Sequence, residues 1–172
     1  MDNKEKAVID NFKPSAALKK ALSKLADGPQ STFVLDELDI KAIHDAYIDE
    51  FGGDYGIRDV NLFKSVCLAP YQACFGQELY PTIFDKAAKY IIDFARYQIF
   101  IDGNKRTGLA AAECFLENNG YTMNLSSEQF YILTMDIANN NIEDSKVVEM
   151  IKNNVLFYDV EMESEEEYDE IT

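Results

Sequence analysis

Hydrophobic residues recur along this chain at intervals of three and four far more often than in alternation, so the pattern predicts helices and little strand. Leu18, Ala21, Leu22 and Leu25 form a first stripe within residues 4–26, stopped by Asp27-Gly28-Pro29. A short extended piece at 31–35 precedes a stripe of Ile40, Ile43, Ala46, Tyr47 and Phe51, which predicts a helix over about 38–51 closed by Gly52-Gly53. Residues 53–60 read as a loop or a small β-hairpin flap, and 61–68 as a helix ahead of Pro70. Phe84, Ala87, Ala88, Ile91, Phe94 and Ala95 describe a long, nearly central helix over 82–97. The Ala-, Leu- and Glu-rich segment 107–119 is helix-forming and stops at Asn119-Gly120. Two further helices follow at 126–139 and 145–156, with Ser126-Ser127-Glu128 and Asp144-Ser145 as caps. The fold class is all-α, with six or more helices around a central one.

Composition narrows the partners. With 172 residues, 47% hydrophobic and 12% aromatic, the chain suits one globular domain with a sizeable core. That domain covers 31–157, between an N-terminal helical extension at 1–30 and an acidic tail at 158–172. The formal net charge is −15, but residues 159–172 hold eight acids and no Lys or Arg, leaving 23 acids against 16 bases elsewhere. This balance argues against direct nucleic-acid or anionic-membrane binding, both of which need a cationic surface, and favours a basic protein partner. The tail reads as a disordered, solubilising end; its alternative role is to compete for a cationic site or dock a basic partner. Cys67, Cys74 and Cys114 are odd in number and lack metal spacing, so they read as buried thiols of a reducing compartment. The chain start lacks the apolar core of a signal peptide, and no apolar run reaches ~18 residues, so the expected location is the cytoplasm.

One stretch reads as chemistry rather than packing: Phe100-Ile101-Asp102-Gly103-Asn104-Lys105-Arg106-Thr107-Gly108. Asp102-Gly103-Asn104 is a tight-turn sequence, so a helix should start near Asn104. Its first turn would present unpaired backbone N–H groups, and Lys105 and Arg106 would add two cations there. Phosphate is the guest such an arrangement selects. Asp102 is a hard oxygen ligand able to hold magnesium against it.

These residues resemble the signature of the Fic/Doc superfamily, H-x-F-x-[D/E]-G-N, and the following Lys-Arg-Thr resembles its Doc (death-on-curing) version. Residues 43–45 (I-H-D), 52–59 (G-G-D-Y-G-I-R-D), 80–88 (Y-P-T-I-F-D-K-A-A) and 115–121 (F-L-E-N-N-G-Y) resemble other Doc landmarks in the right order. The similarity covers roughly residues 34–154. One position departs from it: Gln98 stands where the signature has His, and Ile99 where Pro is usual. In the family that His is the base that takes a proton from the hydroxyl being modified. An amide has no usable proton affinity near neutral pH, though it can hydrogen-bond a hydroxyl and hold it. Loss of a general base typically costs ~10²–10⁴-fold, whereas phosphoryl transfer leans mainly on positioning and charge neutralisation.

The resemblance implies the Fic helical fold, ATP and Mg2+ as cofactors, and roles for individual residues. Asp102 would hold the metal, and Gly103, Asn104, Lys105 and Arg106 would hold the phosphates. Gln98 would occupy the place of the base. Lys105 replaces the Gly common in other Fic enzymes, a change that in the family accompanies phosphate transfer in place of nucleotide transfer. Asn104 reads as a helix cap that also faces the phosphate, and Phe100 as core under the loop. His44, the only histidine, reads first as a satisfied structural residue on an amphipathic helix and second as part of the cleft lining. Arg58 and Asp59 are balanced between an ion pair or turn and a flap that receives the protein substrate. By resemblance the activity is that of a toxin transferring phosphate, or secondarily AMP, from ATP to a hydroxyl of elongation factor Tu, impaired by Gln98. A separate antitoxin chain is the implied partner. The alternative is a non-catalytic Fic-fold protein that binds nucleotide or protein and regulates through that contact.

Overall fold

The computed structural model describes residues 33–157. The extension at 1–30 and the acidic tail at 158–172 therefore lie outside the described residues, apart from which six helices are seen: α1 Glu37–Phe51, α2 Val60–Leu68, α3 Ile83–Arg96, α4 Asn104–Glu117, α5 Ser127–Ala138 and α6 Asp144–Asn153. A 3-10 turn, Ala69–Tyr71, continues α2, with Pro70 near its start, where a missing N–H costs nothing. The predominantly helical fold expected from the periodicity is what forms.

The middle of the molecule is the α3–α4 pair. Ala87, Ala88, Tyr90, Ile91, Ile92, Phe94 and Ala95 of α3 are all buried, so this helix is covered nearly all round, as its central place requires. Gly108 and the run Ala110-Ala111-Ala112 let α4 approach closely. A Cβ at position 108 would stand 2.6 Å from Cβ of Phe94 and 3.1 Å from the Tyr90 carbonyl oxygen. α1 packs on α4, while α5 and α6 pack on α3. Charged side chains on α3 are paired where they are buried: Lys89 with Asp93 at 2.7 Å, and Lys86 with Glu78 at 2.5 Å. Arg96, at the end of α3, reaches Asp144 of α6 at 2.6 Å.

Three differences from the sequence expectations have physical causes. The last helix ends at Asn153 rather than near 156, because Val155–Phe157 forms a strand, β4, antiparallel to β3 (Tyr121–Met123) with Thr122 opposite Leu156. A Val-Leu-Phe triplet beside an available strand edge gains more from pairing than from a last helical turn. α6 is also not capped by Asp144-Ser145; its N-cap is Glu143, which makes no side-chain cap bond, and Asp144 serves Arg96 instead. A short hairpin, β1 Ala73–Cys74 with β2 Gln77–Glu78, appears where no strand was expected, turning at Phe75-Gly76 with both residues at positive φ. It places Cys74 on the surface, so only Cys67 and Cys114 are the buried thiols anticipated for all three. Burial pushes both of those thiols up to about 12, which makes them inert at neutral pH.

Candidate functional site

The segment 98–106 connects α3 to α4, so both of its ends are fixed by the best-packed pair of helices in the molecule. α3 terminates at Arg96, with Tyr97 and Gln98 exposed. The chain then dives inward: Ile99 and Phe100 are 0% and 1% exposed. Phe100 stacks on His44 with ring centroids 3.8 Å apart and lies parallel to Phe94 at 5.9 Å. Its expected role as core beneath the loop is therefore what the packing shows. Burying such a ring contributes roughly 1.5–3 kcal/mol, enough to pin the strand-like stretch that leads into the turn.

The turn itself is made by Gly103, whose φ of 74° is left-handed and would cost a side-chain-bearing residue about 1–2 kcal/mol. α4 starts immediately afterwards with no side-chain cap, so the N–H groups of its first turn have no acceptor within the helix. Asn104 is not that cap. Its Oδ1 accepts from the N–H groups of Ile99 and Phe100 at 3.0 and 2.8 Å, and its Nδ2 donates to the Phe100 carbonyl at 2.9 Å. The carboxamide is a brace that folds the preceding segment back on the helix start. The backbone N–H of Asn104 and the second N–H of its carboxamide are not used in this brace.

Asp102 lies at the outer side of the turn with its side chain about half exposed. One carboxylate oxygen accepts from the Gly103 N–H at 2.6 Å and stands 3.6 Å from Nη2 of Arg106. Arg106 also points Nη1 toward the Gly52 carbonyl at 3.4 Å. Asp102, Gly103 and Arg106 thus come together beside the end of α1. Lys105 goes the other way: its Nζ sits 3.0 Å from Sδ of Met135 on α5, a weak acceptor that leaves the ammonium ready to exchange it for a better one. Two cations in the first turn of a helix oppose its macrodipole, so the arrangement is electrostatically incomplete until an anion joins it.

Of the two forms considered for the flap at 53–60, the segment takes the loop as far as Val60, where α2 begins, and it pairs with the signature instead of with itself. Ile57 and Phe100 form an antiparallel bridge, Arg58 N–H donates to the Ile99 carbonyl at 2.7 Å, and Ile101 N–H donates to the Gly56 carbonyl at 2.9 Å. Arg58 adds a side-chain bond from Nη2 to the Ile101 carbonyl at 3.3 Å. Asp59 caps α2, accepting from the N–H groups of Asn61 and Leu62 at 3.0 Å each. Sequence reasoning did not anticipate the close approach of Gly53, where a Cβ would meet Oδ2 of Asp102 at 2.5 Å. The Gly-Gly pair gave a signal, but it reads equally well as a helix stop.

His44 is 1% exposed, under the loop and not at its surface. Among the described residues no group of three or more His, Cys, Asp or Glu side chains could hold a metal ion. A metal here would have to share Asp102 with oxygens brought by a ligand.

The turn and the uncapped helix start lie within a family match: the chain belongs to the Fic/DOC family, whose model matches residues 34–116. Two relatives sharpen the comparison. The chain is similar to the protein kinase doc of Escherichia phage P1, 33% identical over 111 residues, covering 64% of this chain and 86% of that protein. It is also similar to the toxin Doc of Mycolicibacterium smegmatis, 41% identical over 70 residues, which spans 41% of this chain and only 54% of that relative.

Proposed function

We propose that this protein is a Doc-type toxin that transfers phosphate from ATP to a hydroxyl of a host translation factor, with elongation factor Tu as the expected target and a separate antitoxin as its partner. The observation that carries this reading is the start of α4. It has a left-handed Gly103, no side-chain cap, and Arg106 drawn 3.6 Å from a half-exposed Asp102. The donor set fits a nucleotide phosphate with magnesium, an ion commonly held by one or two carboxylates together with phosphate oxygens. Asp102 would hold that ion. The first-turn N–H groups and Arg106 would grip the phosphates, and Lys105 would swing from Met135 toward them. When bound, the metal supplies charge neutralisation for the transferred group.

Gln98 is exposed just after the end of α3, and in this reading it orients a substrate hydroxyl without removing its proton. Turnover is accordingly slow in this reading. The same residue motivates a second reading, in which the protein binds nucleotide or a partner segment and regulates without chemistry. One experiment separates the two. The unaltered chain and Gln98→His are assayed for phosphate or AMP transfer from labelled ATP to elongation factor Tu, and for growth arrest on expression. The expected result is a ~10²–10⁴-fold faster transfer by the His variant. A His variant that is harmless and transfers nothing removes the toxin reading, and magnesium-dependent ATP binding by both chains would then favour the regulator.

A further inference from the structure

His44 touches the signature loop at two places and lies beside a third residue, Gly103. Its ring stacks on Phe100 with 14° between planes, its Nε2 lies 3.2 Å from the carbonyl oxygen of Asp102, and a Cβ on Gly103 would stand 3.8 Å from the same nitrogen. A carbonyl oxygen only accepts, so the contact with Asp102 is a hydrogen bond in the ring form that carries a proton on Nε2. The other ring nitrogen faces a second acceptor, Oδ1 of Asp45, at 3.2 Å.

The rest of the loop shows why this bond matters. Asn104 holds the N–H groups of Ile99 and Phe100 and the Phe100 carbonyl. Gly56 holds the N–H of Ile101, and Thr107 holds the Gly103 carbonyl through both N–H and hydroxyl. The backbone of Asp102 is tied to a side chain from α1: its carbonyl faces His44, while its carboxylate is about half exposed on the side of Arg106.

We infer that His44 is a positioning residue: by donating to the Asp102 carbonyl it fixes the orientation of the Asp102 carboxylate toward a magnesium-bound phosphate. This rests on the phosphate-site reading above. It assigns His44 neither to the cleft lining nor to proton transfer, and makes the loop's ligand-ready geometry depend on a bond from beneath. A loop released from that bond samples other orientations, and apparent affinity falls by the fraction of time the right one is occupied.

The test uses the full chain with three substitutions. His44→Phe keeps a ring to stack on Phe100 but removes the donor, His44→Gln keeps an N–H donor without the aromatic ring, and Arg106→Ala controls for the phosphate site. Binding of a non-hydrolysable ATP analogue is measured by calorimetry across a magnesium series, and amide hydrogen exchange is measured on the free proteins. The expected result is about a tenfold loss of magnesium-dependent affinity in His44→Phe, with His44→Gln within a few fold of the parent. Exchange at residues 101–104 should rise in His44→Phe while α3 and α5 keep their protection. Equal losses in the Phe and Gln variants, or unchanged exchange at 101–104 in His44→Phe, overturn the inference. If the parent binds no nucleotide but exchange responds as stated, the phosphate reading fails and the tether to Asp102 stands.

Discussion

Two helix starts in this protein are built on opposite rules. α3 begins with a capping box: Thr82 Oγ1 accepts from the Asp85 N–H at 3.1 Å, and the Asp85 carboxylate accepts from the Thr82 N–H at 2.9 Å. An acid stands in its first turn, where the helix dipole favours it. α1 and α5 follow the same plan with Asp36 and Ser126. α4 does the reverse, with a glycine for a cap, two cations in the first turn and no acid among them. Since α3 and α4 are packed along each other, burial does not explain the difference. α6 lacks a side-chain cap too, but it carries an acid, Asp144, in its first turn; among the described helices α4 alone joins an open start to two cations, and the lesson is that the functional end is the one that local stability rules disfavour.

The comparison can be broken most directly at Arg106. Arg106→Ala is expected to weaken magnesium-dependent ATP binding by ~10–100-fold, the worth of a charge-assisted contact, with a much smaller change in melting temperature. An unfolded or unaffected variant would remove the contrast between a start built for binding and one built for stability. Asn104→Ala comes next. It strands two buried N–H groups and should cost about 2 kcal/mol in denaturant unfolding, because the side chain braces the loop where a cap would have stabilised the helix. A stability close to that of the parent would mean that water replaces the brace.

Thr82→Ala should cost about 1 kcal/mol and leave nucleotide affinity untouched, since the α3 cap has no part in the site. An effect on affinity would show that the two starts are coupled through the helix pair. Asp59→Ala is the mildest, at roughly 0.5–1 kcal/mol, again without change in affinity, as its carboxylate serves only the start of α2. If ATP binding or transfer falls with it, Asp59 belongs to the receiving flap as well as to the cap.

Much of this was legible in the residues. The apolar stripes on α1 and α3 gave helix positions to within a residue or two, because a buried face has to recur with the helical period. Asp102-Gly103-Asn104 announced the turn, since few other triplets tolerate a left-handed residue there. Where the reading fell short, distant chain decided. Asn104 was assigned to the wrong bonds, as a cap and an inward brace use the same carboxamide and differ only in where residues 99 and 100 lie. The strand at 155–157 depended on an edge at 121–123 that no local pattern reveals. The hairpin at 73–78 carries Phe75, wholly exposed, at a turn position where Asn or Gly would be the ordinary choice.

The sequence by itself determined the helices, the turn and the inventory of donors and charges at residues 98–106, because these follow from period, propensity and residue chemistry over a few neighbours. By resemblance it also put Gln98 where the family signature expects its His. The tertiary structure alone decided which of those donors converge. It sent Lys105 to Met135 and Arg106 to Asp102, put Gly53 against the Asp102 carboxylate, and set His44 beneath the loop with its Nε2 on the Asp102 carbonyl. Those contacts join residues about thirty to sixty positions apart, or choose between two directions open to one side chain. Only the packing of α1 on α4, and of α4 and α5 on α3, fixes such choices.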